Sequence, residues 1–367
     1  MRTFSQVGTP FLPGAELGAR FYAEAVGPLL EAEFPGLPHA AAHVGSGSDV
    51  LGYDTPLSRD HDWGPAVTLF VRDSDADLAP AVRSMLTDRL PGVFQGHPTG
   101  FAVHPADPTS EVMTPGAPDR RVRTTTVRAF TRRELGWDPA DPLSAADWLS
   151  FPSQQLLRVT AGSVHHDGVG ELTRLRERLA WYPDDVWRYL LAAGWTRLGQ
   201  EEHLMGRAGH AGDELGSSVI GARLARDLMA LGFLLERRYA PYPKWFGTAF
   251  GRLELAPALS PLLAELVAAP TWPERQDVYA TAAGLLVRRL NELDLCAPVD
   301  PRPRLFHERP FWVIDGERAA AALVAAVTDT AVLRLTRRRL IGSVDQWSDS
   351  TDLKDAEFRP DVRRFYG

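Results

Sequence analysis

Two carboxylates with metal-binding spacing, Asp60 and Asp62, lie in the amino-terminal third of the chain. Asp60-His61-Asp62 directly precedes an apolar run, and the pattern predicts a strand over about residues 61–72. Because side chains alternate along a strand, Asp60 and Asp62 are expected on one face and His61 on the other. Mg²⁺ prefers oxygen ligands and usually takes one or two carboxylates together with substrate phosphates. The spacing therefore predicts a divalent-cation site formed by Asp60 and Asp62.

A turn of small residues, Gly45-Ser46-Gly47-Ser48, precedes the two carboxylates and follows a predicted strand over about residues 39–45. Glycine has no Cβ, so backbone N–H groups in such a turn can approach phosphate oxygens closely. We therefore interpret Gly45, Ser46 and Ser48 as phosphate-binding residues. The simpler alternative is a turn whose serines bond only to their own backbone.

The turn and the carboxylates together resemble a known signature. Gly45-Ser46, then Asp60-His61-Asp62 and an apolar strand, resembles the nucleotidyltransferase superfamily, which has a polymerase-beta-like fold. The longer string from Gly45 to Pro65 is similar to the bacterial family DUF4037. Four further segments are also similar to that family: Tyr182 to Trp187, Gly212 to Ser217, Ala240 to Gly247 and Ile341 to Gln346.

The resemblance implies a reaction. It implies that the Gly-Ser turn holds a triphosphate and that the Asp pair holds Mg²⁺ or Mn²⁺. The expected activity is transfer of a nucleoside monophosphate from a nucleoside triphosphate, with ATP the expected donor, to a hydroxyl acceptor. A small-molecule acceptor is favoured over a partner protein. The alternative is a nucleotide-binding or regulatory protein of the same fold with reduced catalysis.

A third carboxylate is missing where the resemblance implies one. Active members of the superfamily usually carry it on a neighbouring strand, which should fall at residues 121–127 and contains no acid. Without this carboxylate, a two-metal site for phosphoryl transfer no longer stabilises both the attacking and the leaving oxygen. Either Asp49, Asp54 or Glu214 completes the site, or the site binds nucleotide with little catalysis, and the sequence leaves both open.

Two residues in the second half of the chain are further candidates. Glu214 is interpreted as a base toward the acceptor hydroxyl, although an acid after Gly212 equally suits a helix amino terminus. Lys244, one of two lysines in the chain, is interpreted as a contact to the leaving pyrophosphate. The alternative for Lys244 is a place in a packed interdomain corner, which Pro241 and Pro243 support.

The elements that must position these residues predict an α+β fold. Residues 1–140 are predicted as a nucleotidyltransferase-like mixed sheet with helices, and residues 141–367 as a mostly helical domain. The longest predicted helix covers about residues 213–239. Residues 167–168 are interpreted as a turn. By analogy, the layout resembles that of aminoglycoside-type nucleotidyltransferases, whose helical part closes over the acceptor.

Composition limits the class of protein. A net charge of −7 argues against general nucleic-acid binding, because such proteins carry a basic footprint. A single cysteine, Cys296, fits a reducing compartment. No apolar run reaches the length of a membrane span, and residues 1–10 lack the apolar core of a signal peptide. The expectation is a cytoplasmic protein without membrane partners.

Overall fold

The computed structural model describes residues 11–367, whose contacts divide into two compact units. The first unit contains the chain up to residue 142 and then residues 155–180; the second contains residues 143–154 and 181–367. The predicted α+β class is confirmed, because the four-stranded sheet lies in the first unit and the long helices in the second. Residues 1–10, where the sequence shows no signal-peptide pattern, lie outside the described residues.

The strands of the first unit are β1 (His39–His43), β2 (Val67–Val71), β3 (Val93–Phe94), β4 (His97–Pro98), β5 (Gly100–His104), β6 (Asp107–Met113), β7 (Asp119–Arg120), β8 (Val122–Thr126) and β9 (Ser163–Asp167). The main sheet has the order β8-β2-β1-β9. β2 is antiparallel to β1 and parallel to β8, and β9 is antiparallel to β1. Every residue of β2 is buried, as expected for an apolar strand in the interior of a sheet.

The helices are, in chain order, α1 (Gly14–Phe21), α2 (Gly27–Glu33), α3 (Ala79–Arg89), α4 (Val127–Leu135), α5 (Ala145–Ser150), α6 (Ser153–Thr160), α7 (Glu171–Arg178), α8 (Asp184–His210), α9 (Glu214–Leu235), α10 (Pro243–Phe250), α11 (Ala256–Ala268), α12 (Trp272–Glu292), α13 (Gly316–Ala325), α14 (Thr330–Thr336), α15 (Val344–Trp347) and α16 (Arg359–Arg363). A π-helical turn over Tyr22–Val26 joins α1 to α2. In the first unit, apolar side chains of α1 and α3 pack in one core cluster with Trp63 and with Val67 and Leu69 of β2.

β9 is a strand that the sequence did not predict. The sequence predicts one helical domain over residues 141–367, whereas residues 155–180 belong to the first unit and supply its fourth sheet strand. Its five residues, Ser-Val-His-His-Asp, contain one apolar side chain, so they lack the hydrophobic alternation that marks a strand. Gly162 reverses the chain before β9 with a φ of +73°, a conformation that favours glycine.

The second unit is built on long helices. α8 packs against α9 and α13, and α12 packs against α9 and α11. The observed α9, Glu214–Leu235, replaces the predicted helix over 213–239 and is followed by Arg237 in a left-handed conformation. A two-stranded hairpin pairs β10 (Arg304–Leu305) with β11 (Trp312–Val313). Within residues 11–367, none of the helices combines the length and hydrophobicity that crossing a membrane requires.

Candidate functional site

One end of the main sheet gathers the segments that the sequence singles out. Ala42 of β1 pairs with Thr68 of antiparallel β2, and Val67 of β2 pairs with Val122 of parallel β8. The carboxyl end of β1 and the amino ends of β2 and β8 therefore lie at the same end of the sheet. The Gly-Ser turn follows β1, the Asp60–Asp62 loop leads into β2, and Arg121 directly precedes β8.

The Gly-Ser turn begins directly after β1. Gly45 and Gly47 have φ values of +106° and +139°, which other residues rarely adopt. The N–H of Gly45 donates to the carbonyl of Arg158 at 2.9 Å, so this donor is already used within the first unit. Ser46 is exposed and Ser48 is half-buried. The turn can therefore offer the side chain of Ser46, but not the N–H of Gly45, to a ligand.

Asp49 closes the Gly-Ser turn from the inside. Nε2 of His43, the last residue of β1, donates to Oδ2 of Asp49 at 2.9 Å, and the N–H of Val50 donates to Oδ1 at 3.0 Å. Burial opposes ionisation of Asp49, but the hydrogen bond and charge of His43 and the charge of Arg121 outweigh it, so the pKa lies below its usual 3.8. The carboxylate therefore has a structural role beside the turn.

The predicted strand position of the two acids is wrong. Asp60 ends a 3₁₀ helix over Pro56–Asp60, Asp62 lies in a loop, and β2 begins only at Val67. Asp62 has a φ of +48° and Gly64 a φ of +139°, which an extended strand cannot contain. The expected placement of both carboxylates on one strand face therefore does not hold.

The structure holds the two acids differently. Asp60 is exposed, and its Oδ1 accepts from the N–H of His61 at 3.1 Å. Asp62 pairs twice with Glu111 of β6: its N–H donates to the Glu111 carbonyl at 2.7 Å, and its Oδ1 accepts from the Glu111 N–H at 3.1 Å. The Oδ2 atom of Asp62 accepts no hydrogen bond from the residues that the structure describes. Asp62 is thus fixed with one oxygen available, and Asp60 is accessible to solvent.

Glu111 lies beside the candidate site and is not singled out by the sequence. Its Oε2 lies 3.4 Å from Nε of Arg121 and 3.8 Å from a terminal nitrogen of Arg123. The sequence offers no signal for this neighbour, because Glu111 stands far along the chain from Asp62 in a strand of another sheet. The position expected for the third carboxylate is instead flanked by these two arginines on and beside β8.

The proposed replacements for the third carboxylate in the first unit have other partners. Asp49 pairs with His43. The Oδ2 atom of Asp54 accepts from the N–H of Gly14 at 2.8 Å and from the indole N–H of Trp63 at 2.9 Å. These contacts fix the start of α1 and the loop before β2, which is a structural role for Asp54.

Glu214 and Lys244 lie in the second unit. The Oε2 atom of Glu214 accepts from buried Arg275 at 3.2 Å, and its Oε1 atom accepts from the N–H of Trp272, also at 3.2 Å. Asp213 caps α9 by accepting from the N–H of Gly216 at 2.7 Å. Asp213 and Glu214 therefore lie at the amino terminus of α9, as the helix-terminus interpretation expects. Lys244 is exposed, with its Nζ 5.1 Å from the ring centre of Trp245.

A preformed metal centre of several side chains is not found. Across residues 11–367, no group of three or more His, Cys, Asp or Glu side chains is arranged to hold a metal ion. Asp60 and Asp62 still offer oxygen donors of the kind Mg²⁺ prefers, and Mg²⁺ commonly completes its coordination with water and substrate phosphates. The donor chemistry therefore fits Mg²⁺ bound together with a phosphate ligand.

Comparison with known proteins gives one match. Residues 148–246 match the family described as "Domain of unknown function (DUF4037)". The match confirms the resemblance to DUF4037 within residues 148–246, a segment that includes Glu214 and Lys244. Gly45, Asp60 and Asp62 precede this segment, and their resemblance to the family stays a prediction. Neither the curated proteins nor the solved structures include a match. The resemblance to the nucleotidyltransferase superfamily stays a prediction.

Proposed function

We propose that the first unit is a Mg²⁺-dependent nucleotidyltransferase that moves a nucleoside monophosphate from a nucleoside triphosphate to a hydroxyl acceptor. The observation that carries the proposal is the shared sheet end, which brings the Gly-Ser turn after β1 to the same place as the acid loop before β2. Serines on one segment and carboxylates on another therefore lie at one end of the sheet, and this supports a shared site for phosphate and metal.

Each residue has a role in the proposal. Asp60 and Asp62 hold the metal, Mg²⁺ or Mn²⁺, through carboxylate oxygens, and Asp62 is oriented by its two bonds to Glu111. Ser46 and Ser48 contact the phosphates, and Gly45 shapes the turn through its positive φ. When bound, the metal neutralises phosphate charge and polarises the reacting phosphoryl group. ATP is the expected donor.

The transfer is a single displacement. The oxygen of the acceptor hydroxyl bonds to the α-phosphorus while the bond from that phosphorus to the α–β bridging oxygen breaks. Pyrophosphate leaves and the hydroxyl proton passes to water. Most of the rate gain in such a reaction comes from positioning and from electrostatic stabilisation. Glu214 is left out of the proposed site because both of its carboxylate oxygens accept bonds from the start of α12.

The test is calorimetric titration of ATP, GTP, CTP and UTP, with and without Mg²⁺. The chain offers a matched control, because Asp73 and Asp75 have the same spacing as Asp60 and Asp62 and lie in the same unit. Asp60→Asn/Asp62→Asn should abolish Mg²⁺-dependent binding, and Asp73→Asn/Asp75→Asn should leave it unchanged. Asparagine keeps the acceptor that Asp62 uses and tolerates its positive φ, so the fold should survive. Equal binding by both double variants would rule out the proposed metal site.

A second candidate function is nucleotide binding without transfer. It is favoured by the pairing of Glu111 with Arg121 and Arg123, since a carboxylate neutralised by arginines is a poor metal ligand in the resting protein. Incubation with α-labelled nucleotide, Mg²⁺ and a panel of hydroxyl acceptors separates the two candidates. Pyrophosphate release with labelling of an acceptor supports the transferase, and nucleotide binding without release supports the second candidate.

A further inference from the structure

The ion pair between Glu111 and Arg121 is incomplete. Nε of Arg121 lies 3.4 Å from Oε2 of Glu111, which is longer than a good hydrogen bond. Both Oε2 of Glu111 and the terminal nitrogen Nη1 of Arg121 are buried and make no hydrogen bond within the described residues. Buried charged groups are normally fully hydrogen-bonded, because an unmade bond at such a group costs free energy. Glu111 and Arg121 therefore keep hydrogen-bonding capacity for a further polar group.

We propose that Arg121 is a phosphate-binding residue held by Glu111 in the resting protein, and that a bound polyphosphate takes Arg121 and frees the Glu111 carboxylate to join Asp62 at the metal. The inference rests on the proposed function and deepens it, since it assigns two further residues to the same site. It also supplies the acid that residues 121–127 lack. No covalent bond changes in this exchange.

A phosphate is the ligand that fits the unpaired side of Arg121. A guanidinium presents a planar fork of donors that binds two phosphate oxygens at once. The backbone of Arg121 is fixed at the sheet end, because its carbonyl accepts from the N–H of Val67 at 3.0 Å. Its guanidinium lies 5.4 Å from the ring centre of Phe101, which holds the cation without supplying a competing anion.

Arg121 is also near the Gly-Ser turn. Its charge lowers the pKa of Asp49, the residue that closes the turn. Arg121 is therefore close enough to the Gly-Ser turn for its charge to act there. It also contacts Glu111. A polyphosphate bound at the turn would compete directly with Glu111 for this guanidinium.

Glu111 is well placed to act once it is released. Its backbone is bonded in both directions to Asp62, so the two residues keep a fixed relation whatever the Glu111 side chain does. A carboxylate that no longer pairs with two guanidinium groups can direct its negative charge toward a cation. Phosphate binding would thus strengthen metal binding, and the reverse must hold by thermodynamic linkage.

The experiment is calorimetric titration of sodium tripolyphosphate in EDTA, which removes the metal and any transfer activity from the readout. Arg121→Gln should weaken binding by about tenfold or more, because a bidentate charged contact is lost. Glu111→Gln should tighten it severalfold, because the competing carboxylate is gone. The matched controls are Arg89→Gln and Glu33→Gln, which break another ion pair of the first unit, 2.9 Å long, and should change nothing.

A second titration, of MgATP, separates this inference from the proposed function. Here Glu111→Gln should have the opposite effect and reduce the Mg²⁺-dependent gain in affinity. The exchange is overturned if Glu111→Gln leaves tripolyphosphate affinity unchanged, or if Arg121→Gln binds it as wild type does. Absence of MgATP binding by wild type would instead remove the proposed function, while Arg121-dependent tripolyphosphate binding would keep the phosphate site.

Folding is checked on each variant by thermal unfolding. Should Arg121→Gln fail to fold, Arg121→Lys is the replacement, since it keeps the charge and loses the planar fork. The lysine variant should bind tripolyphosphate more weakly than wild type. Wild-type affinity in the lysine variant would contradict bidentate binding.

Discussion

Nε2 of His43 lies 2.9 Å from Oδ2 of Asp49, and both side chains are almost completely buried. The pair joins the last residue of β1 to the residue after the Gly-Ser turn, so the turn is closed at its base by one charge-assisted contact. The exposed part of the turn can therefore meet a ligand without having to organise itself at that moment, which lowers the cost of binding.

Asp49→Asn is expected to destabilise the first unit. Losing one partner of a buried pair costs about 3 kcal/mol, because the remaining group is left without its counter-charge. The folded-state pKa of Asp49 is below 3.8, so its stabilisation is present above that pH and is lost as the pH falls through the lower folded value. The stability gap between wild type and variant should be constant from pH 5 to 7 and should shrink below about pH 4.

Urea unfolding at several pH values measures this gap, with exposed Asp73→Asn as the control. A gap that stays the same down to pH 3 would mean that the charge of Asp49 contributes nothing, and that packing alone explains the loss.

Gly162→Ala should be more harmful than Gly36→Ala, although the two glycines have nearly equal φ values of +73° and +74°. A Cβ on Gly162 would lie 1.9 Å from the carbonyl oxygen of His43, whereas a Cβ on Gly36 would meet nothing within 4 Å. Gly36→Ala should cost about 1 kcal/mol for the left-handed backbone alone. Gly162→Ala should add the cost of displacing β9 from β1.

Thermal unfolding of the two variants under identical conditions gives the comparison. Equal losses in melting temperature would show that backbone strain alone explains the effect of both substitutions. Displacement of β9 from β1 would then cost no free energy.

Glu202 should make the second unit less stable as the pH rises. Its carboxylate is buried in α8 and accepts from the N–H groups of Ile314, Asp315 and Gly316 and from the hydroxyl of Tyr279. Burial outweighs these bonds and raises its pKa from 4.5 to about 7. A raised pKa gives stability that is fully present below pH 4.5 and is lost as the pH rises through 7, a change of about 3 kcal/mol.

Glu202→Gln removes this titration while keeping an oxygen acceptor at the start of α13. The variant should therefore show a flatter dependence of unfolding free energy on pH between 5 and 8 than wild type, as measured by urea unfolding. A steeper or unchanged dependence would contradict the assignment to Glu202.

Glu214→Gln should reduce stability and leave nucleotide binding intact. The substitution removes the negative charge opposite buried Arg275, 3.2 Å away, and is expected to cost about 1 kcal/mol because Gln keeps part of the bonding. Glu274→Gln, an exposed acid in the first turn of α12, is the control. Loss of MgATP binding without loss of stability would return Glu214 to the functional site.

The sequence predicts the elements with strong hydrophobic patterns. The α+β class, the strand before the Gly-Ser turn and a long helix within residues 213–239 follow from apolar periodicity, although the helix ends at Leu235. The start of β2 was misplaced because the apolar side chain of Trp63 suggested an extended chain, while the positive φ of Asp62 has no sequence signal comparable to that of glycine. Local sequence patterns indicate only which secondary structure a segment prefers. Here the hydrogen bonds between Asp62 and Glu111 hold the Asp62 backbone in its observed conformation.

The candidate site is predictable only in part for the same kind of reason. Gly45, Asp60 and Asp62 form short local motifs that can be recognised in one dimension. Glu111 lies in a hairpin of a different sheet and contacts Asp62 only in the folded structure. Arg121 becomes a candidate site residue only because the fold brings it to the Glu111 carboxylate. Long-range pairing of this kind leaves no spacing rule in a single sequence.

The path of the chain has a consequence for how this protein can be divided. It leaves the first unit after residue 142, returns at residue 155 to supply β9, and leaves again after residue 180. Cutting the chain at any one position does not separate the two units, because each unit consists of two chain segments. A recombination event with one crossover therefore cannot transfer either unit intact. A fragment limited to residues 148–246 would carry β9 without β1, the strand it pairs with, so the matched segment is not a complete structural unit.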